Sequence, residues 1–157
     1  MPVSSSATLH HTCILVKDIE KSAERLSKTL SVPFNFWTIA PEHCFVHGNP
    51  SPFTFRIALA SVGGASLELV SPHTGQSFYD EFLTQKGEGY HHVCLAYVDL
   101  QSMQSAKEEL KSQGYNLVQN GYMEGFFEFC YFELTEPNIL LELLYLKELP
   151  PPEKTIG

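Results

Sequence analysis

The phrase His11-Thr-Cys-Ile-Leu-Val-Lys-Asp18 is written a second time, eighty-one residues on, as His92-Val-Cys-Leu-Ala-Tyr-Val-Asp99. His, Cys and Asp recur at identical offsets, and Ile19 matches Leu100 just beyond. A self-match at so long an interval means two copies of one supersecondary unit rather than a solenoid. Within each copy the side chains alternate: His11, Cys13 and Leu15 share one face, Thr12, Ile14 and Val16 the other. That period is a strand. Asp18 and Asp99 then stand where a helix N-cap belongs. The repeated unit is therefore strand, aspartate cap and helix, with a histidine near the start of the strand.

The rest of the chain fills out this unit twice. After Asp18, Ile19, Ala23, Leu26 and Leu30 form one apolar stripe, and Pro33 stops the helix. Strands are expected over 34–39, 53–61 and 66–71, with Val62-Gly-Gly-Ala65 as a hairpin turn. In the second copy, Leu100, Met103, Ala106 and Leu110 give the helix, and strands follow over 115–119, 127–134 and 139–145. Each half thus reads β-α-β-β-β. The expected organisation is a tail (1–7), a first module (8–72), a connector with a short helix (73–89), a second module (90–147) and an extended tail (148–157). Residues 41–52, rich in proline, are expected to be a loop carrying His43 and His47 on the surface.

Composition removes several function classes. Net charge is −8 with only two arginines, Arg25 and Arg56, which argues against nucleic acid as partner. No apolar run is long enough to span a membrane and no N-terminal signal is recognisable, so a cytoplasmic protein is expected. Cys13, Cys44, Cys94 and Cys130 lack CxxC spacing and read as reduced, buried thiols.

Both halves end on one short phrase, Leu67-Glu68-Leu69 and Leu141-Glu142-Leu143. Glutamate in the middle of an aliphatic strand is rarely buried without a partner. Two in matching places want a common cause, and a bound cation supplies it. If the halves pack about a pseudo-twofold, His11, Glu68, His92 and Glu142 bring two imidazoles and two carboxylates together. That set suits a divalent zinc, nickel, cobalt, manganese or ferrous ion. Four protein ligands leave two octahedral positions for waters or a bidentate oxygen substrate. The neighbours His10 and His91 are expected on the opposite strand face. Cys13, Leu15, Cys94 and Ala96 are expected to border the cavity.

With these phrases in this order, and with Gly89-Tyr-His-His92-Val between them, residues 8–147 resemble the vicinal oxygen chelate superfamily. Its members include glyoxalase I, methylmalonyl-CoA epimerase, extradiol dioxygenases and bleomycin-resistance proteins. The resemblance implies an α+β fold of two βαβββ modules forming a U-shaped sheet around a metal. It places the metal ligands on His11, Glu68, His92 and Glu142. It also implies an isomerase or lyase that moves a proton α to a carbonyl through a metal-stabilised enediolate, on an acyl thioester or hemithioacetal. Glu142 is then the first candidate base and Glu68 its rival. A small-molecule substrate is the implied partner, and a homodimer is compatible with the family. The chain departs from the epimerases at two places. They usually carry glutamine at the position of Glu68, and Pro52 or Ser51 stands where they place a second catalytic glutamate. The alternatives are a non-heme iron dioxygenase and a non-catalytic small-molecule-binding protein. For the latter, Phe34, Phe36, Trp37, Phe126, Phe127 and Phe129 are candidate cavity residues.

Overall fold

The structure is a computed structural model that describes residues 2–157. The first half runs β1 (Ala7–Leu15), α1 (Ile19–Leu30), β2 (Phe34–Ile39), a hairpin of β3 (His43–Val46) and β4 (Asn49–Pro50), β5 (Phe53–Val62) and β6 (Ala65–Gly75). A connector helix, α2 (Phe78–Lys86), leads to the second half. That half is β7 (Gly89–Tyr97), α3 (Leu100–Ser112), β8 (Asn116–Met123), β9 (Phe127–Leu134) and β10 (Ile139–Leu146), and β11 (Lys154–Ile156) closes the chain. The fold is α+β, as expected. Both aspartates cap their helices: Asp18 accepts from the Lys21 amide at 3.0 Å and Asp99 from the Ser102 amide at 2.7 Å. Each cap stabilises its helix by about 1 kcal/mol.

All eleven strands join one sheet, in the order β11-β2-β5-β6-β1-β7-β10-β9-β8-β3-β4. The pseudo-twofold can be read from that order. The run β2-β5-β6-β1 is mirrored by β8-β9-β10-β7, and antiparallel β1 and β7 form the seam. Within each half the first strand lies parallel to the last, β1 beside β6 and β7 beside β10.

Two segments depart from expectation. Residues 43–50 are not a loop but a hairpin, turned at His47 and Gly48, both at positive φ. β3 pairs with β8, at the far edge of the sheet from β2. Three residues, 40–42, make that passage, and such a link reaches about 15 Å at most. Eight inter-strand steps on a flat sheet would need about 38 Å. The sheet must therefore curl until its edges nearly meet. The C-terminal segment, expected to be an extended tail, is docked as well. β11 pairs with β2, the Trp37 indole donates to the Pro150 carbonyl at 2.8 Å, and Lys154 pairs with Glu20 at 2.7 Å.

Helices α1 and α3 cover the convex face. α1 packs Ile19 and Ala23 on Phe34, Phe36, Ala58 and Leu69; α3 packs Met103, Ala106 and Leu110 on Phe132 and Leu143. The concave side is not an open trough. Trp37, Phe53, Phe55, Phe129, Tyr131 and Leu140 fill it together with Phe78 and Tyr79 from α2. No helix among the described residues is long and apolar enough to cross a membrane.

Candidate metal centre

Strand order decides where the four predicted side chains go. β6, β1, β7 and β10 are consecutive in the sheet, and they carry Glu68, His11, His92 and Glu142 respectively. Register brings them level. Cys13 is the cross-strand partner of both Glu68 and His92, and Cys94 of both Glu142 and His11. Directly paired residues share a sheet face, so all four side chains and both thiols lie on the concave side.

There the four converge. The two Nε2 atoms of His11 and His92 are 3.1 Å apart. Glu142 Oε2 lies 3.2 Å from His11 Nε2 and 2.9 Å from His92 Nε2; Glu68 Oε1 stands farther off, at 3.6 and 3.8 Å. All four residues are at most 7% exposed. Ligand bonds of about 2.0–2.2 Å set neighbouring donors about 3.0 Å apart in an octahedron and about 3.4 Å in a tetrahedron. The spacings among His11, His92 and Glu142 match such edges, and Glu68 stands a few tenths of an ångström beyond them. Despite its short contacts, Glu142 Oε2 has no partner in hydrogen-bonding geometry. The two imidazoles meet each other at Nε2, and this oxygen of Glu142 is left over beside them. Taking a carboxylate this far from water costs several kcal/mol unless a cation compensates it. The donor set therefore fits a divalent ion.

Electrostatics agree. Burial alone would lower the His11 pKa, but the charge of Glu68 and the close contact and charge of Glu142, whose carboxylate faces the ring's Nε2, outweigh it and raise it to about 9. For Glu142, burial acts to raise the pKa, and the charge of His92 with the contacts of His11 and His92 brings it below the ordinary carboxylate range. Burial, and after it the charge of Glu68 or Glu142, pushes the Cys13 and Cys94 thiols far up, so both stay neutral.

The chain's family can be read alongside this geometry. The family model described as Glyoxalase/Bleomycin resistance protein/Dioxygenase superfamily matches residues 10–131. The chain belongs to this superfamily. Among curated protein sequences none matches. Solved structures with the same fold include methylmalonyl-CoA epimerase from Mycobacterium tuberculosis, at 23% identity and a TM-score of 0.60, covering 89% of this chain and 88% of the other. A methylmalonyl-CoA epimerase in complex with methylmalonyl-CoA is 18% identical with a TM-score of 0.61, covering 93% and 99%. A 4-hydroxymandelate synthase from Streptomyces coelicolor is 15% identical with a TM-score of 0.53, covering 92% of this chain and half of that one.

Within this superfamily member, two side chains lie where strict alternation did not put them. β1 and β7 pair with two slips of register. In the first, His10 is the extra residue of β1; in the second, His91 is the extra residue of β7. A β-bulge re-aims its side chain, and here it does so twice, in symmetric places. His10 Nδ1 meets His11 Nδ1 at 2.8 Å, and His91 Nδ1 meets His92 Nδ1 at 2.8 Å. The expectation that His10 and His91 face away is therefore corrected: each braces the other nitrogen of a candidate ligand. The signal was present in the sequence, as a His-His pair in both copies. Burial, then the charge of His92, holds the His91 pKa well below the ordinary value, so that ring is neutral.

Tyr79 and Tyr131 complete the surroundings, their hydroxyls hydrogen-bonded at 2.7 Å and the Tyr131 ring 4.9 Å from that of His92. No pattern in the connector marked Tyr79. Cys13 and Cys94 share the ligands' face but are sealed in the core rather than bordering a cavity. His43 and His47 are at the surface, His43 stacked on Tyr122 and His47 paired with Glu81 at 2.8 Å. Of the aromatics considered for a cavity, Phe34 and Phe36 lie under α1, and Trp37 and Phe129 lie in the concave core. Phe126 and Phe127 line a surface cavity of about 390 Å³.

Proposed function

We propose that the protein is a divalent-metal-dependent isomerase or lyase that moves a proton on the carbon α to a carbonyl, with an acyl thioester or a glutathione hemithioacetal as substrate. The observation that carries this reading is the convergence of two buried imidazoles and two buried carboxylates from symmetry-related strands. Acyl-CoA ligands in structurally similar epimerases support the substrate class. A divalent ion held by His11, Glu68, His92 and Glu142 would supply Lewis acidity to the substrate carbonyl and so acidify the neighbouring C–H.

The chain's own residues divide the remaining work. Ser51 and Pro52 provide no base, and the Ser51 hydroxyl is spent on the Gln76 carbonyl at 2.7 Å. The proton acceptor is then one of the two carboxylates. Glu142, the first candidate from sequence, is the more tightly held, and the charge of His92 keeps its pKa low. Glu68 stands off both imidazoles and is better placed to swing toward a substrate carbon. We assign the anchoring role to Glu142 and the proton transfer to Glu68. Tyr79 and Tyr131 exclude water from the same side. A dioxygenase normally uses two histidines and one carboxylate, leaving three positions open; the second carboxylate speaks against that alternative.

The test begins with elemental analysis of protein purified without chelator. Solvent deuterium exchange at the α-carbon of acyl-CoA thioesters and glutathione hemithioacetals follows. We expect about one metal per chain, and exchange that chelator abolishes and metal restores. A protein that neither retains nor takes up a divalent ion at these residues would end the proposal.

A further inference from the structure

A cavity of about 400 Å³ lies between α2 and the β9–β10 end of the sheet, and none of the four candidate ligands lines it. It touches the metal centre only through His91, whose ring forms part of its wall. Its remaining wall is half apolar, from Phe78, Phe82, Ile139 and Leu140, with Lys86 and Tyr90 at the side.

His91 is 2% exposed, and its Nε2 has no hydrogen-bond partner. Buried polar atoms are seldom left unpaired, and each that is calls for an explanation. Its tautomer follows from the bond on the other side of the ring. When His92 offers its Nε2 lone pair to a cation, its Nδ1 carries the proton and donates to His91 Nδ1. With its Nδ1 accepting, the His91 ring carries its proton on Nε2. That N–H points away from the metal centre, since Nδ1 on the other side of the ring faces His92. His10, the symmetric counterpart, raises no such demand: its ring is only partly buried and water can serve it.

A cation lines the same cavity as this unused donor. Lys86 Nζ lies 5.1 Å from the centre of the Phe82 ring, which packs at 4.7 Å on the His91 ring. Lys86 has no carboxylate within ion-pair distance among the described residues. Two acids also line the cavity. Glu81 is engaged by His47, and Glu133 lies on β9, so an anion would seat at the Lys86 side with its apolar body toward Ile139.

We propose that this cavity binds a small monocarboxylate with an apolar body, whose carboxylate accepts from the His91 Nε2–H and pairs with Lys86. The site is separate from the four-donor centre. One consequence rests on the metal reading: a metal on His92 fixes the His91 tautomer as the donor, so metal and carboxylate strengthen each other's binding by one shared factor.

The experiment is calorimetric titration of a series from propanoate through benzoate to phenylacetate, with benzamide and phenylacetamide as uncharged controls. Wild type, His91→Phe and Lys86→Met are each compared, zinc-loaded and chelator-treated. The His91→Phe substitution keeps an aromatic ring among Tyr79, Phe82 and Tyr131, and Lys86 is exposed, so melting curves verify that both variants fold. We expect saturable binding of at least one carboxylate and at least tenfold weaker binding of its amide. His91→Phe should raise Kd at least tenfold and Lys86→Met severalfold, and zinc should tighten wild-type binding but not that of His91→Phe. No saturable binding to either form, or a Kd indifferent to both substitutions, overturns the proposal. If zinc fails to bind at all, the metal reading falls, while carboxylate binding to the metal-free protein and its loss in Lys86→Met still decide the cavity.

Discussion

The two halves of this chain agree in what holds the candidate metal centre and differ in what surrounds it. Each offers a histidine from its first strand, a glutamate from its last, a second histidine on a bulge and a cysteine beneath. The surroundings are unequal. The first half has its outer edge covered by β11 and its bulge histidine partly exposed; the second borrows the β3–β4 hairpin of the first, and α2 seals its bulge histidine. Glu142 sits tightly against both imidazoles and Glu68 loosely. On the proposed function, the symmetric part serves the cation and the asymmetric part serves the reaction, since a substrate approaches from one side and a base must differ from an anchor.

The sharpest way to break the comparison is to delete one imidazole from each half. His11→Ala and His92→Ala should each remove most of the bound metal, and thermal melting should fall to that of chelated wild type, because a ligand that binds only the folded state adds RT ln(1 + [L]/Kd) of stability. Equal metal content in wild type and both variants would remove these residues as ligands. Loss in only one would end the equivalence of the halves.

The carboxylates come next. At saturating metal, Glu68→Gln should lower α-proton exchange by about 10²–10⁴ while metal stays bound, the usual effect of losing a general base. Glu142→Gln should instead weaken metal binding first. If Glu142→Gln loses exchange with its metal in place and Glu68→Gln does not, the roles assigned here are reversed.

A third test uses pH. Folded, metal-free His11 has its pKa raised to about 9 against about 6.5 unfolded. Its contribution to metal-free stability is therefore fully present below about 6.5 and is lost as pH climbs through about 9. Metal must displace that proton, so metal affinity should rise about tenfold per pH unit up to about 9 and level off above. A flat profile between pH 6.5 and 8.5 would show that His11 holds no proton there. The smallest effect compares the two helix caps. Asp18→Ala and Asp99→Ala should each cost about 1 kcal/mol in denaturant unfolding, and clearly unequal costs would show that one helix matters more to its half.

Much of this was legible in the sequence, because the features concerned repeat. The recurring His, Cys and Asp fixed the strand-cap-helix units, and the two Leu-Glu-Leu phrases located the carboxylates. What was not legible depends on pairing rather than pattern. Alternation assumes an unbroken strand, so it sent His10 and His91 to the wrong face; only the register slips against the partner strand bring them back. Residues 43–50 lack hairpin periodicity of their own and become strands by adding to β8. Nothing in the local composition of residues 78–79 says that the connector plugs the concave face with Phe78 and Tyr79.

The passage from β2 to the far edge of the sheet bears on how the protein is made. His43 pairs with Tyr122, seventy-nine positions later in the chain. On a translating ribosome the first half emerges in full while its hairpin has no strand to join, and it stays unzipped until β8 has left the exit tunnel. Contacts so distant in sequence form slowly, because the intervening chain must be ordered before they contribute. During that interval the hairpin and the aromatic concave face remain open to other chains, the state in which larger domains aggregate. The two modules look separable on paper, yet the first cannot finish folding before the second has been synthesised.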